Sequence, residues 1–301
     1  MCRVLDISRA SYYKWLTRKP TKEEVINEEL VQLIIEYDER FHHILGYRRI
    51  REWIHHFNQT SYSENRIKRL MKLLGLKSII RKKKKKYNIS KPEIEAENIL
   101  KRNFYASRPN EKWATDVTEF KMIGSSQKVY LSAIIDLYDR SIVSYVVGNR
   151  NNNKLVFDTF DKAIASNPGA KPIYHSDRGF QYTSKVFQTK LKEQKMIQSM
   201  SRVGHCIDNG PMEGIWGIIK SEMYYPNTFH DKETLKKAIE DYIYFYNHER
   251  LQNRYHNQTP MQVRKKALQS ESIEQYPIPE NRKIQEYYHT LETKKQSYAQ
   301  A

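Results

Sequence analysis

The chain has 301 residues, length for about two domains. Lys plus Arg number 52 against 35 Asp plus Glu, a formal net charge of +17 that favours a polyanionic partner. No apolar run approaches the roughly 18 residues of a membrane span, no secretory signal follows Met1-Cys2-Arg3, and two cysteines cannot build a disulfide framework, so a reducing cytoplasm is the expected setting.

The first 110 residues carry 25 basic and 13 acidic side chains, net +12, and read as short helices. Residues 8–15 form a basic-aromatic helix that Pro20 closes off. Thr21 followed by Glu24 predicts a capping box, opening a helix to Arg40 with Val25, Ile26, Leu30, Leu33, Ile34 and Tyr37 at helical spacing. Gly46 breaks the pattern. A helix over 47–57 follows, with Ile50, Trp53, Ile54 and Phe57 inside. Ser63 caps a third, over 64–74, which buries Ile67, Leu70, Met71 and Leu74 and turns out Arg66, Lys68, Arg69 and Lys72. Three short helices ending in a basic one suggest a helix-turn-helix module whose last helix enters a major groove. A plain bundle with solvated charges is the other reading. The run Arg81-Lys82-Lys83-Lys84-Lys85-Lys86 repels itself and reads as a linker, suited to a phosphate backbone.

After Pro109 the pattern changes. Residues 113–120, 129–136 and 142–147 have strand composition. Then come a helix over 153–165, a short strand over 172–175, a helix over 184–193, a strand over 196–200, and helices over 212–223 and 231–248. The order β-β-β-α-β-α-β-α implies an α/β sheet of three antiparallel strands followed by crossover-connected ones.

Three carboxylates occupy informative places. Asp116 lies inside the first strand, Asp177 follows the short fourth strand, and Glu213 opens a helix, with 35 residues between the last two. The topology makes the first and fourth strands neighbours and packs that helix beside them. Three acids at one spot are electrostatically costly, and a divalent cation removes the cost. Oxygen ligands without Cys or His suit magnesium or manganese. Two such ions about 4 Å apart serve phosphodiester chemistry. Asp136 and Asp139 border the second and third strands; Asp136 stands near the metals or is structural, and reads as structural, and Asp208 reads as ordering the loop before Glu213. Glu119 alternates to the face opposite Asp116, and Glu222 is too far along from Glu213 to share its ions. Lys220, two turns after Glu213, suits a DNA phosphate or solvent. Trp216, three residues after Glu213, reads as core packing rather than a base-stacking platform. Arg178 and His175 flank Asp177 and either touch DNA or order the strand end. His205 with Cys206, and His42, His43, His55 and His56, lack the partners of a zinc site.

These motifs resemble the insertion-sequence-three family of transposases, specifically the second-reading-frame product, with a retroviral-integrase-type core. The matching segments are Trp113-Ala114-Thr115-Asp116-Val117-Thr118, His175-Ser176-Asp177-Arg178-Gly179-Phe180-Gln181-Tyr182 and Asp208-Asn209-Gly210-Pro211-Met212-Glu213. Gly46-Tyr47-Arg48-Arg49-Ile50, Tyr246-Asn247-His248-Glu249-Arg250 and Thr259-Pro260 also match. Gly210 departs from the family's frequent Ala.

The resemblance implies a ribonuclease-H-like α/β core, a mixed five-stranded sheet with flanking helices, preceded by an all-α helix-turn-helix-type DNA-binding region. It implies metal-dependent 3′-end cleavage and strand transfer, with Asp116, Asp177 and Glu213 as catalytic acids holding two Mg2+ (or Mn2+) ions. Expected DNA contacts are Lys220, Arg178, Arg48, Arg49, Arg66, Arg69 and Lys82, Lys83, Lys84, Lys85 and Lys86.

The expected division is a partial helix-turn-helix segment over 1–20, a helical DNA-binding module over 21–81, and a basic linker over 82–110. A catalytic core over 111–225, a helical extension over 226–268 and a polar tail over 269–301 follow. Partners implied are element ends, target DNA and further copies of the chain on DNA. A fusion to an upstream reading-frame product and a nucleoid-associated place in a bacterial cytoplasm are also implied. The rival readings are a sequence-specific DNA-binding regulator, which leaves the three acids unexplained, and a nuclease acting on RNA–DNA hybrids.

Overall fold

A computed structural model describes residues 2, 8–80, 98–101, 103–202 and 206–278, with the side chains of 206 and 207 excluded. The chain divides into two units, Met1–Arg81 and Lys82–Ala301.

In the first unit, helix α1 (Arg9–Thr17) buries no residue. Helix α2 (Lys22–Arg40) starts at the capping box read from the sequence: Thr21 Oγ1 accepts from Glu24 N and the Glu24 carboxylate accepts from Thr21 N. Helices α3 (Tyr47–Asn58) and α4 (Glu64–Leu73) complete the unit, and Ser63 caps α4. Their apolar stripes meet in one core of Leu30, Ile34, Tyr37, Ile50, Trp53, Ile54, Ile67, Leu70 and Met71. Fully burying each such side chain contributes about 1.5–3 kcal/mol.

The second unit is built on β1 (Lys112–Lys121), β2 (Lys128–Asp136), β3 (Ile142–Gly148), β4 (Ile173–Ser176) and β5 (Ile197–Met200), in the order β3-β2-β1-β4-β5. The pairs β1–β2 and β2–β3 are antiparallel, and β1–β4 and β4–β5 parallel. This is the mixed five-stranded sheet that the strand order implied.

Helices α5 (Asn153–Ser166), α6 (Phe180–Thr183) and α7 (Lys185–Glu193) cover one face through Val156, Phe160, Tyr182, Phe187 and Leu191, packed with Trp113, Ile134 and Tyr174. Helices α8 (Gly210–Ile219), α9 (Lys232–His248) and α10 (Pro260–Gln269) pack with Ala114, Phe120, Leu131, Ala133 and Ile135. Strand alternation separates the two sets: Trp113 and Ala114 point to opposite faces, as do Ile134 and Ile135.

Two features of the second unit were not read from the sequence. α8 runs into a π-helical turn, Lys220–Tyr224. α10 starts at a second capping box, Thr259 with Gln262, the same signal that marks α2. In residues 270–278, expected to lie in a polar tail, Ile273 and Tyr276 pack against the core. Tyr276 is buried, and the Tyr138 hydroxyl donates to the Glu274 carbonyl at 2.7 Å. The rest of that tail lies outside the described residues.

Candidate active site

The site starts from strand register. β1 and β4 pair as Lys112↔Ile173, Trp113↔Tyr174 and Ala114↔His175, and there the pairing ends. Carrying the same offset two residues on sets Asp116 beside Asp177. Both keep the parity of Ala114 and His175, so both lie on the face covered by α8. They stand where β4 ends and parts from the middle of the longer β1.

α8 brings the third acid. Its start is tied to both strands: Asn209 Nδ2 donates to the Thr115 carbonyl at 3.2 Å, and His175 Nε2 lies 2.8 Å from the Asp208 carbonyl. Glu213 lies in the first turn of α8. One turn on, the Trp216 indole Nε1 donates to Asp116 Oδ2 at 2.9 Å. Asp116, Asp177 and Glu213 are each partly exposed.

Electrostatics mark the cluster. Desolvation first, then the Asp177 charge, and to a smaller degree that of Glu213, push the Asp116 carboxyl up to about 7. The opposing influences are hydrogen bonds from Trp216 and from Val117 N, the latter 2.8 Å from Oδ1. Desolvation also raises Asp177, against the Gly179 N–H that donates to its Oδ1 at 2.9 Å. A hard divalent cation suits this donor set of carboxylate oxygens packed at mutual electrostatic cost.

Among the described residues, no group of three or more His, Cys, Asp or Glu is arranged to hold a metal ion. Asp116 and Asp177 are held by hydrogen bonds from Trp216, Val117 and Gly179.

Gly179 has a specific reason to be glycine. A Cβ there would come 2.8 Å from Gln181 Oε1, 3.0 Å from Asp177 Oδ1 and 3.3 Å from Tyr182 Cδ2. The reason is space, since its φ of −55° is open to any residue.

The neighbouring acids are engaged elsewhere. Asp208 is buried and takes Arg202 N and Nε at 3.0 and 2.9 Å and Asn98 Nδ2 at 2.9 Å, which orders the loop before α8. Asp136 and Asp139 share the Arg264 guanidinium, each at 2.9 Å. Glu119 pairs with Lys128 and Glu222 with Arg250. His175 is fully buried between Ser199 and the Asp208 carbonyl, so it orders the strand end.

The expected DNA contacts are dispersed. Lys220 opens the π turn with its ammonium 5.4 Å from the centre of the Phe120 ring. Arg178 Nε donates to the Ser201 carbonyl at 2.7 Å. In the first unit, Arg69 is exposed on α4, and the open Arg48 side chain has Nε 3.4 Å from Glu64. Arg49 donates to the Ile44 carbonyl. Arg66 turns back onto α2, with Nη2 2.8 Å from Glu23 and Nε 2.9 Å from Asn27. Lys82 through Lys86 lie outside the described residues, as do His205 and the Cys206 side chain.

Sequence reading missed the donor role of Trp216 and the steric role of Gly179. The i,i+3 spacing of Trp216 from Glu213 was the available signal for the first. For the second, a glycine two residues after a chemically important Asp was visible, but not what surrounds it.

Comparison with known proteins agrees with this architecture. Integrase core domain families match residues 106–206 and 213–268, and an HTH-like domain family matches 26–84. InsK, the transposase of insertion element IS150 from Escherichia coli K12, is 36% identical over 269 residues, 88% of this chain and 92% of its own length. A transposase-like protein of Haemophilus influenzae is 40% identical over 208 residues, 68% of this chain and 94% of its own. InsF, the transposase of insertion sequence IS3A from E. coli K12, is 27% identical over 250 residues, 81% of this chain and 85% of its own. The HTLV-2 integrase catalytic core domain gives a TM-score of only 0.40 at 22% identity, over 52% of this chain and 97% of that one. The chain belongs to the insertion-sequence-three family of transposases, polynucleotidyl transferases of the DDE type with an integrase core.

Proposed function

We propose that the chain cuts DNA at element ends to free 3′-hydroxyls and joins those ends to target DNA. Asp116, Asp177 and Glu213 are the catalytic acids and the ligands of two divalent cations, Mg2+ or Mn2+. The observation that carries this reading is that Asp116 on β1 lies near enough to Asp177, just past β4, and to Glu213 in the first turn of α8 for both charges to raise its carboxyl.

When bound, the cations would activate an attacking oxygen and neutralise a leaving one. The protein's own part is orientation. Trp216 and Val117 hold the Asp116 carboxylate, Gly179 holds that of Asp177, and Asn209 with His175 seats the start of α8.

In cleavage, a water oxygen bonds to phosphorus, the bond from phosphorus to the 3′ oxygen breaks, and that oxygen takes a proton. In transfer, the freed 3′-hydroxyl loses its proton as it bonds to a second phosphorus, whose own 3′ oxygen departs and is protonated. One phosphodiester is exchanged for another, so neither step needs a covalent protein intermediate. Lys220, Arg178, Arg48, Arg49, Arg69 and Lys82 to Lys86 are the phosphate contacts of this reading. Arg66 joins them only by leaving Glu23 and Asn27. Several copies assemble on the DNA, and fusion to an upstream reading-frame product supplies further end recognition.

The test is strand transfer on element-end DNA with Mg2+, using the fused form alongside the chain alone. Asp116→Asn, Asp177→Asn and Glu213→Gln should each bring product to background. Full activity in any of them overturns the assignment. Specific binding that persists in EDTA, with no nicking under any metal, would instead mark a regulator.

A further inference from the structure

We infer that Trp216 is a positioning residue for the divalent-cation site, a rigid strut that presets the Asp116 carboxylate and fixes its distance from the helix bearing Glu213. The inference rests on the metal reading above and adds to it a residue that is not itself a ligand.

Three observations carry it. First, the Asp116 carboxylate is oriented at both oxygens. Oδ2 accepts the Trp216 indole N–H at 2.9 Å and Oδ1 accepts Val117 N–H at 2.8 Å. A carboxylate has about two lone-pair directions on each oxygen. Each oxygen therefore keeps one free direction, and the carboxylate plane is fixed by the protein.

Second, Trp216 joins the two elements that carry Asp116 and Glu213. It sits one turn after Glu213 on α8 and reaches β1, so its ring spans the gap between the Glu213 helix and the Asp116 strand. The ring is buried in the same core cluster as Met212, Ile215 and Ile219. An indole N–H is a donor only. It favours the charged carboxylate that a cation needs.

Third, the bond is local to the site. The three other tryptophans do not reach an acid of the cluster: Trp113 Nε1 serves Asn110 and Asp136, Trp53 packs in the helical unit, and Trp15 is exposed on α1. Groups that orient a metal ligand without binding metal commonly set affinity by about 10–100-fold. Trp216 makes that type of contact through its indole N–H.

The experiment is Mn2+ binding to the full chain without DNA, read by electron paramagnetic resonance of free Mn2+. Four proteins are compared: wild type, Asp116→Asn, Trp216→Phe and Ile219→Ala. Trp216→Phe keeps a buried ring and loses the donor. Ile219→Ala opens a cavity on the same helix without touching Asp116. Wild type should bind, Asp116→Asn should lose binding, Trp216→Phe should bind about tenfold more weakly, and Ile219→Ala should stay within about twofold of wild type.

Trp216→Phe binding as tightly as wild type, or Ile219→Ala weakening it equally, overturns the strut. Wild type and Asp116→Asn behaving alike overturns the metal reading itself. A measurement on the intact chain is independent of how any variant folds. With all four tryptophans carrying 5-fluoroindole, one 19F resonance should shift with the midpoint of Mg2+ binding. Saturation with no shift overturns the inference.

Discussion

Arg250 grips Glu222 with both arms of its guanidinium: Nε lies 2.9 Å from Oε2 and Nη2 2.8 Å from Oε1. The Tyr242 hydroxyl donates to the same Oε2 at 2.6 Å, and Glu222 is buried. The pair joins the end of α9 to the π turn that continues α8, the helix bearing Glu213. Removing Arg250 leaves a buried carboxylate without its counter-charge, which costs about 3–5 kcal/mol. Arg250→Met should therefore destabilise the chain by about 3–5 kcal/mol in urea unfolding. Adding Glu222→Met should recover much of the loss. A double variant no more stable than the single one would show that the carboxylate was not the source of the cost.

Gly179 makes a prediction from space alone. The Cβ of Gly179→Ala would meet Gln181 Oε1, Asp177 Oδ1 and Tyr182 Cδ2 at 2.8–3.3 Å. Gln181 cannot readily yield, because it is buried and its amide donates to Asn151. The Asp177 carboxylate is the group that moves. Overpacking of this kind costs about 1–3 kcal/mol, and a displacement near 1 Å at a reacting centre costs on the order of 100-fold in rate. Strand-transfer rate and urea midpoint measured on one preparation separate the two effects. A variant with an unchanged rate would show that Asp177 tolerates the shift.

Much of this was legible before any coordinates. Thr21 with Glu24 and the cap at Ser63 fixed the starts of α2 and α4 by local chemistry that needs no tertiary partner. The two-sided apolar run around Ile134 marked an interior strand, and the crossovers made β1 and β4 neighbours. What stayed hidden depends on contacts between residues distant in sequence. Arg250 reads as a surface cation in a polar motif, and only its meeting with Glu222 makes it a brace. The neighbouring Asn247 is a brace too: its side chain accepts from Ile142 N and donates to Ile142 O, capping the start of β3. Arg66 read as a groove-facing cation because helical periodicity gives a face but not which neighbour's acid lies within reach.

His175 illustrates the same limit and can be tested. Burial lowers its pKa below the ordinary 6.5, so the ring is neutral. With the Asp208 carbonyl 2.8 Å from Nε2, that nitrogen carries the proton, and Nδ1 accepts from the Ser199 hydroxyl at 3.0 Å. The ring thereby ties β4 to β5 and to the loop before α8. His175→Phe leaves a buried carbonyl and a buried hydroxyl without this partner, at about 1–3 kcal/mol. Urea unfolding measures that loss. In the wild-type chain, the His175 ring resonance should show no titration midpoint near 6.5, and a midpoint there would contradict its burial.

The last prediction concerns pH and starts from unequal charge. One guanidinium, Arg264, serves two buried carboxylates, Asp136 and Asp139, with Asn110 and Asn167 on its other nitrogen. Desolvation, then the Asp136 charge, push Asp139 up to about 7 despite the pull of Arg264 and the Ser141 hydrogen bonds. An unfolded Asp has its ordinary value of 3.8. Between those values the folded chain holds a proton that the unfolded chain has released. Stability falls with rising pH wherever the folded state binds more protons. The contribution of Asp139 is fully present below about 4 and is lost as pH rises through 7. Asp139→Asn cannot titrate, so its unfolding free energy should depend less steeply on pH from 4 to 7 than that of the wild type. Urea unfolding at steps across that window, with both proteins in one buffer series, gives the two slopes. Parallel slopes would mean that Asp139 stays ionised beside Arg264 and that the guanidinium satisfies both carboxylates.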